Sequence, residues 1–200
     1  MFGQAIVLAT IETIQASRTV AHALLDFVGF DYYWGIPELR WDRLRGLIHS
    51  IRGQYATAPV HPGGLQRLLV RYARAFPGTE IMVIENGCIA RADGVDRAEY
   101  VRAHLWEVQK ALAAGIPVKG YVCWSITSNR EWGLPFGPDS DFGLYHVELD
   151  RDPELKRVPT AAAEAFREIT QSRDAVPAEG EALRAWMRKF GVRLKKKRRG

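Results

Sequence analysis

The stretch IMVIENG, residues 81–87, decides the fold, because it has the pattern of a buried strand that ends in a single acid, Glu85. Asn86 and Gly87 then break the apolar run, as a turn does. A second apolar run, VKGYVCWSI at residues 118–126, ends in a polar segment that contains tryptophan. The two runs predict two strands whose polar C-terminal ends point towards one site.

Helical patterns alternate with these strands. A third strand is predicted at residues 26–33, DFVGFDYY, after a helical pattern that spans residues 14–25. Apolar residues recur at helical spacing within residues 63–76, 98–112 and 160–169, and Asp96 can cap the second of these helices. The stretch from Trp34 to Pro62 is predicted to be a long irregular loop, which in a compact domain is usually functional or mobile.

Strands separated by helices of this length imply parallel pairing, with the helices packed outside the sheet. The sequence therefore predicts an α/β fold. Reactive groups on such folds lie at the carboxyl ends of the strands. The residues at those ends are Tyr32, Tyr33, Glu85 and Trp124.

Composition indicates a globular chain, since 47% of its 200 residues are hydrophobic and 10% are aromatic. The sequence has no apolar run long enough to span a membrane and no secretory leader pattern at its start, so we expect a soluble cytoplasmic protein. Cys88 and Cys123 have neither the spacing nor the histidine neighbours of a metal site or a redox pair. We expect two reduced thiols and no metal or organic cofactor.

The net charge of +5 arises from the C-terminal segment. Residues 188–200 contain eight lysines and arginines and no acid, so the remainder of the chain is mildly acidic. Basic tails of this kind are more often solvated than specific for a polyanion. We therefore expect no specific nucleic-acid recognition, although attachment of the tail to nucleic acid or to an anionic membrane surface stays an alternative.

The motifs resemble those of glycoside hydrolase family 1, the β-glucosidase family. Ile84-Glu85-Asn86-Gly87 resembles the family's Thr-Glu-Asn-Gly motif, and Trp124-Ser125-Ile126 followed by Glu131-Trp132 resembles its Trp-Ser-Leu and Glu-Trp pair. The segment DFVGFDYY resembles the strand that ends in Asn-Tyr-Tyr, and DFGLYHVELD resembles the Phe-Gly-Leu segment. The resemblance covers about residues 20–170.

This resemblance implies part of a (β/α)8 TIM barrel, corresponding to strands six to eight and their helices. It also implies a retaining β-glycosidase reaction, in which an ionised carboxylate attacks the anomeric carbon and a second carboxylic acid protonates the leaving oxygen. Glu85 matches the nucleophile, and Tyr33 matches the tyrosine that donates a hydrogen bond to it. From the residues alone, an ion-paired or capping role for Glu85 is the alternative.

Three further residues match the sugar-binding positions of the family. Glu131 and Trp132 match residues that contact the sugar hydroxyls, and Trp124 matches the platform beneath the ring. Core packing is the alternative for Trp124. Trp34 and Trp41, in the predicted loop, could extend the aglycone side or pack as part of a lid.

The sequence also departs from the family pattern. Asp31 stands where Asn is usual, Ile84 where Thr is common and Arg130 where an aromatic residue usually stands. The family barrel needs well over twice this length, and the Asn-Glu-Pro motif that carries its acid/base glutamate does not occur in these residues. Glu38, after Pro37, lies in the wrong context for that role.

Two hypotheses follow. In the first, residues 1–172 are the C-terminal portion of a retaining β-glycosidase that acts on a β-glycoside or oligosaccharide, followed by a linker and basic tail at 173–200. Such a chain would pair with the missing N-terminal part of the barrel or self-associate. In the second, the chain is a non-catalytic relic that acts as a carbohydrate-binding or interaction protein.

Overall fold

The computed structural model describes residues 25–36, 40–131, 133–176 and 188–189. The helical pattern predicted before the first strand and most of the basic tail lie outside these residues. Within them, no helix has the length and apolar character needed to cross a membrane.

A three-stranded parallel sheet forms the centre of the fold. Its strands are β1 (Phe27–Asp31), β2 (Glu80–Asn86) and β5 (Val118–Cys123), in the order β1-β2-β5. The predicted α/β fold with parallel pairing is thus confirmed. Strand β5 is shorter than the predicted strand at residues 118–126, since it ends at Cys123.

Two helices connect these strands, α2 (Pro62–Ala75) between β1 and β2 and α3 (Arg97–Ala113) between β2 and β5. Both were predicted. The Asp96 side chain accepts a hydrogen bond from the Glu99 amide and so caps α3 as expected. Pro62 occupies the first turn of α2, where its missing N–H costs nothing.

The core lies between one face of the sheet and these two helices. Alternate residues of β1 and β2 point into it, and the cluster consists of Val28, Phe30, Tyr32, Leu65, Leu69, Tyr72, Phe76, Ile81, Val83, Val108 and Ala111. The opposite face of the sheet leaves large apolar side chains in solvent: Phe27, Ile84 and Val122 are each about 40% exposed. One face of the sheet is therefore covered and the other is open.

The prediction of an irregular loop from Trp34 to Pro62 is wrong. This stretch contains the helix α1 (Trp41–Ile51) and a 3-10 turn at Tyr55–Thr57. Its apolar residues do recur at helical spacing, but arginines and a central glycine separate them and no side chain caps the helix start, so the usual start signal is absent.

Shorter elements complete the fold. A hairpin of β3 (Arg91–Ala92) and β4 (Val95–Asp96) follows β2, and β6 (Tyr145–His146) pairs with β7 (Val158–Pro159). Helix α4 (Ala161–Ser172) begins at a Thr160 cap and extends three residues beyond its predicted end. It packs on α3 through a second apolar cluster that includes Val101, Leu144 and Ile169.

Candidate active site

Glu85 and Tyr33 meet at the carboxyl end of the sheet. Glu85 is paired in register with Asp31 of β1, and the Tyr32 amide donates to the Glu85 carbonyl at 2.9 Å. This pairing carries Tyr33 alongside Glu85, and Tyr33 Oη donates a hydrogen bond to Glu85 Oε2 at 2.7 Å. The contact that the resemblance implies between these two side chains is present.

The surroundings of Tyr33 keep its phenol protonated. Burial, the hydrogen bond to Glu85 and the negative charges of Glu85, Asp31 and Glu131 all raise its pKa far above the ordinary value. A protonated phenol is a permanent donor to the carboxylate, and such charge-assisted bonds are among the strong ones. The same effect shows that three carboxyl groups act on this one hydroxyl.

Asp31 gives the site a second carboxyl group beside Glu85. Burial first, and then the negative charge of Glu85, raise the pKa of Asp31 above its ordinary value. Like charges on neighbouring strands disfavour double ionisation. The neighbourhood of Glu85 is therefore more anionic than it would be with the asparagine of the family pattern.

A second polar group forms where β5 ends. Trp124 Nε1 donates to Glu131 Oε1 at 2.8 Å, and the Asn129 amide donates to the same oxygen. Glu131 is only 6% exposed, so its carboxylate depends on these donors. Ser125 Oγ lies 2.6 Å from the Thr127 carbonyl, to which its single proton is donated, and 3.2 Å from Asn129 Oδ1.

Gly87 lets the two strand ends approach each other. A Cβ at this position would lie 1.7 Å from the Trp124 carbonyl oxygen, so only glycine fits. The Trp124 amide also donates to the Asn86 carbonyl at 2.9 Å. The Asn-Gly pair after Glu85 therefore does more than turn the chain, since it seats the backbone of Trp124 beside the nucleophile candidate.

Arg97 holds the loops beneath the site. Its buried guanidinium donates to the carbonyl of Cys88 at 3.0 Å and to the carbonyls of Asp141 and Gly143. The residue between these last two, Phe142, packs edge-on against Tyr33 with ring centroids 6.1 Å apart. The arginine thus links the segment after β2 to the loop that packs on Tyr33.

The remaining candidates have mixed outcomes. Trp132 and Glu38 lie outside the described residues. Trp34 packs against the rings of Tyr33 and Tyr55, whereas Trp41 is 78% exposed at the start of α1.

Tyr55, Phe142 and Asn129 also belong to the site, and the sequence pattern does not single them out. Tyr55 and Phe142 pack at right angles, with ring centroids 5.2 Å apart. Their only local signal is aromatic character within loops. The signal at Asn129 is its position between the Trp-Ser segment and Glu131.

In the described part of the chain, no three His, Cys, Asp or Glu side chains are grouped as a metal ion requires. Cys88 and Cys123 are buried free thiols, and burial raises the pKa of each. Their chemistry is that of structural and not nucleophilic cysteines.

A family model described as glycosyl hydrolase family 1 matches residues 49–175. The match includes Glu85, Trp124 and Glu131, and it extends over more than half of the chain.

Two curated relatives show how much of a longer protein this chain represents. A galactolipid galactosyltransferase of Arabidopsis thaliana is 33% identical over 150 residues, which are 74% of this chain and 23% of that protein. The thermostable β-glucosidase B of Thermobispora bispora is 30% identical over 169 residues, which are 75% of this chain and 34% of that protein. The chain therefore spans about a quarter to a third of the length of these relatives.

The fold is similar to part of the β-glycosidase from the hyperthermophile Thermosphaera aggregans. The two share a TM-score of 0.52 and 33% sequence identity, over 65% of this chain and 25% of the other.

Proposed function

The chain belongs to glycosyl hydrolase family 1, and on that premise we propose that it is the C-terminal part of a retaining β-glycosidase in which Glu85 is the nucleophile. The observation that carries the proposal is the hydrogen bond from Tyr33 to Glu85, at the carboxyl end of a parallel sheet. This hydrogen bond fixes the position of one carboxylate oxygen of Glu85.

In the proposed mechanism, Glu85 attacks the anomeric carbon while the glycosidic C–O bond breaks and the general acid protonates the departing oxygen, so that a covalent glycosyl-enzyme forms. The same acid/base group then deprotonates a water molecule, which attacks the anomeric carbon, releases the sugar and restores the Glu85 carboxylate. Tyr33 Oη holds Glu85 Oε2, so Oε1 is the attacking atom. The bond to Tyr33 also fixes the carboxylate plane before the substrate arrives, which lowers the entropic cost of reaching the transition state.

Glu131 and Trp124 bind the sugar that is attacked. Glu131 Oε1 already accepts from Trp124 and Asn129, so Oε2 is the atom offered to sugar hydroxyls. The hydrogen bond from Trp124 Nε1 to Glu131 also orients the indole ring, which offers a flat surface to the C–H face of the sugar. We include Trp132 in this subsite by resemblance alone.

The general acid comes from outside these 200 residues. A retaining mechanism needs a second carboxyl group about 5 to 5.5 Å from the nucleophile, and the Asn-Glu-Pro motif that would carry it does not occur in the sequence. We therefore propose that the remainder of a (β/α)8 barrel supplies this acid and covers the open face of the sheet. We also propose a cytoplasmic location, as expected for two buried free thiols.

The absence of that motif favours one alternative, a chain that binds carbohydrate or a partner without turnover. Such a protein would keep the subsite around Trp124 and Glu131 but would not hydrolyse glycosides in any assembly.

Complementation tests the proposal. The chain is mixed with a polypeptide that carries the first five βα units of a family barrel, and hydrolysis of an aryl β-glucoside is measured. We expect activity that neither piece has alone, and its loss by at least about 1000-fold in Glu85→Gln, because that change removes the nucleophile.

Glu80→Gln is the matched control. Glu80 lies at the other end of the same strand, where it pairs with Lys119 in solvent, and its substitution should leave the rate within about twofold. Restored activity that survives Glu85→Gln would refute the nucleophile assignment. Sugar binding without hydrolysis in a stable, well-folded assembly would favour the alternative.

A further inference from the structure

A chain of hydrogen bonds joins the backbone of Tyr33 to Asn86, the residue that follows Glu85. Tyr100, in the first turns of α3, donates from its hydroxyl to the Tyr33 carbonyl at 2.6 Å. The same hydroxyl accepts a hydrogen bond from Asn86 Nδ2 at 3.0 Å. Tyr100 therefore joins the backbone of Tyr33 to the side chain of Asn86, the residue after Glu85.

Asn86 is the centre of this network. It is completely buried, and its amide donates to the Tyr32 carbonyl as well as to Tyr100. Its Oδ1 accepts from the hydroxyl of Tyr121 on β5. Every polar atom of the side chain thus has a partner, as a buried amide requires.

The direction of each hydrogen bond is fixed. A carbonyl can only accept, so Tyr100 must donate to Tyr33, and its lone pair must receive the Asn86 amide. Burial raises the pKa of Tyr100 and of Tyr121 well above the ordinary value, so both keep the proton that the arrangement needs. The amide orientation of Asn86 follows from the same accounting.

We propose that Tyr100 is a positioning residue for the Tyr33–Glu85 pair: its hydroxyl sets the backbone of Tyr33 so that the phenol reaches Glu85 Oε2. Glu85 and Asn86 are consecutive in β2, and Tyr32 and Tyr33 are consecutive after β1. Asn86 donates to the Tyr32 carbonyl directly, and Tyr100, which accepts from Asn86, donates to the Tyr33 carbonyl. These bonds connect the end of β2 to the residues that follow β1. Tyr100 itself does not touch Glu85, and it acts through Tyr33.

The ladder bond from the Tyr32 amide to Glu85 places Tyr33 beside the strand, and the hydroxyl of Tyr100 adds a bond to the carbonyl of Tyr33 itself. Tyr33 is only partly buried, with Phe142 against its edge and Trp34 tilted against it at 5.6 Å between centroids. Aromatic contacts of this type occur over centroid separations of about 4.5 to 7 Å, so they fix the ring position less narrowly than a hydrogen bond does. The hydrogen bond to the Tyr33 carbonyl supplies the fixed point that ring packing lacks.

The first test needs no enzymatic activity and uses the full chain. Tyrosine labelled with ¹³C at Cζ reports on the hydrogen bond of each phenol, and Tyr33→Phe assigns the Tyr33 resonance. In the native chain, Glu85→Gln should move this resonance, because it replaces a charged acceptor with a neutral one.

Tyr100→Phe keeps the ring and removes only the hydroxyl. We expect it to move the Tyr33 resonance in the same direction as Glu85→Gln, and we expect Glu85→Gln to add less than about a third of its usual shift in the Tyr100→Phe background. Tyr72→Phe is the control, since Tyr72 is a core tyrosine stacked on Phe30, and it should leave the Tyr33 resonance in place. An unmoved Tyr33 resonance in a folded Tyr100→Phe chain would overturn the proposal.

A second test rests on the proposed function and uses the complemented enzyme. Tyr100→Phe should lower kcat about 10-fold with KM within about twofold, because the ground-state sugar contacts at Trp124 and Glu131 are untouched. In a Tyr33→Phe background the same change should cost less than about twofold, since the group it positions is gone. Equal losses in both backgrounds would assign Tyr100 a merely structural role.

The two tests separate the possible failures. A chain that gives no complemented activity but shows the coupled NMR shifts would refute the proposed function and keep the positioning role. Activity with an uncoupled Tyr33 resonance would do the reverse.

Discussion

At the scale of single residues, the hydrogen bond from Tyr33 to Glu85 is the contact on which the proposed chemistry depends most. Tyr33→Phe removes one donor from the carboxylate and leaves the ring in place. A hydrogen bond to a charged group is worth about 1.5 to 3 kcal/mol, so the complemented enzyme should lose about 10- to 100-fold in kcat. Steady-state kinetics beside the Tyr72→Phe control measure this loss, and an unchanged kcat would remove Tyr33 from the mechanism.

Asp31 makes stability depend on pH. Its pKa is raised in the folded chain by burial and by Glu85, so the stability it contributes is present below its ordinary pKa and is lost as pH rises through the folded value. Asp31→Asn should therefore increase the free energy of unfolding at pH 7 and leave it nearly unchanged at about pH 3. Urea unfolding at both pH values measures this.

Asp26→Asn, a change just before the same strand, is the control for Asp31. An equal gain from Asp31→Asn at both pH values would show that the ionisation of Asp31, disfavoured by burial and by Glu85, is not the cause.

The side chains at strand ends could be predicted, but their supports could not. Glu85 stands out because it is the single acid at the end of an apolar run. Tyr33 stands out because it follows a parallel strand whose carboxyl end lies at the same edge of the sheet. Tyr100 and Asn129 lack such a signal, because a tyrosine at a helical position and an asparagine in a loop have many ordinary roles. Only the tertiary structure shows that Tyr100 donates to the Tyr33 carbonyl and that Asn129 donates to Glu131.

At the scale of elements, the first turns of α3 support the loops around the site. Arg97→Met leaves the carbonyls of Cys88, Asp141 and Gly143 without their buried donor. Loss of a buried charged donor costs roughly 3 kcal/mol. Arg97→Lys should recover less than half of this, because one ammonium cannot reproduce the planar fork of a guanidinium.

Arg102→Met is the matched control on the same helix. Arg102 pairs with Glu168, which is largely exposed, so its loss should cost less than about 1 kcal/mol. Urea unfolding of the three variants compares them, and equal costs at positions 97 and 102 would contradict the supporting role of Arg97.

Regular elements were predictable where period and caps agree. The apolar run of β2, the helical spacing within residues 63–76 and the Asp96 cap of α3 are all local signals. Helix α1 was missed because it has no side-chain cap at its start and contains Gly46. The short hairpins at β3–β4 and β6–β7 have two residues in each strand, too few to show a period.

At the scale of the whole molecule, the open face of the sheet should govern association. Phe27 and Val122 are each 41% exposed there, and exposed apolar patches next to open strand edges favour contact with another chain. We expect the weight-average mass in sedimentation velocity to rise with concentration, and Phe27→Lys to reduce this rise.

Leu112→Lys tests whether the effect is specific to that face. Leu112 is 49% exposed on helix α3, away from the sheet, and its substitution should leave association unchanged. Equal effects at both positions would indicate nonspecific hydrophobic contact and not a face that a missing part of a barrel covers.

Covalent trapping identifies the nucleophile of the complemented enzyme. A 2-deoxy-2-fluoro-β-glucoside with a good leaving group forms a long-lived glycosyl-enzyme when it reacts with the complemented enzyme, and peptide mass spectrometry locates the sugar. We predict that the label lies on Glu85, and that Glu85→Gln abolishes labelling while Glu80→Gln does not. A label on Glu131, Asp31 or any residue other than Glu85 would contradict the account.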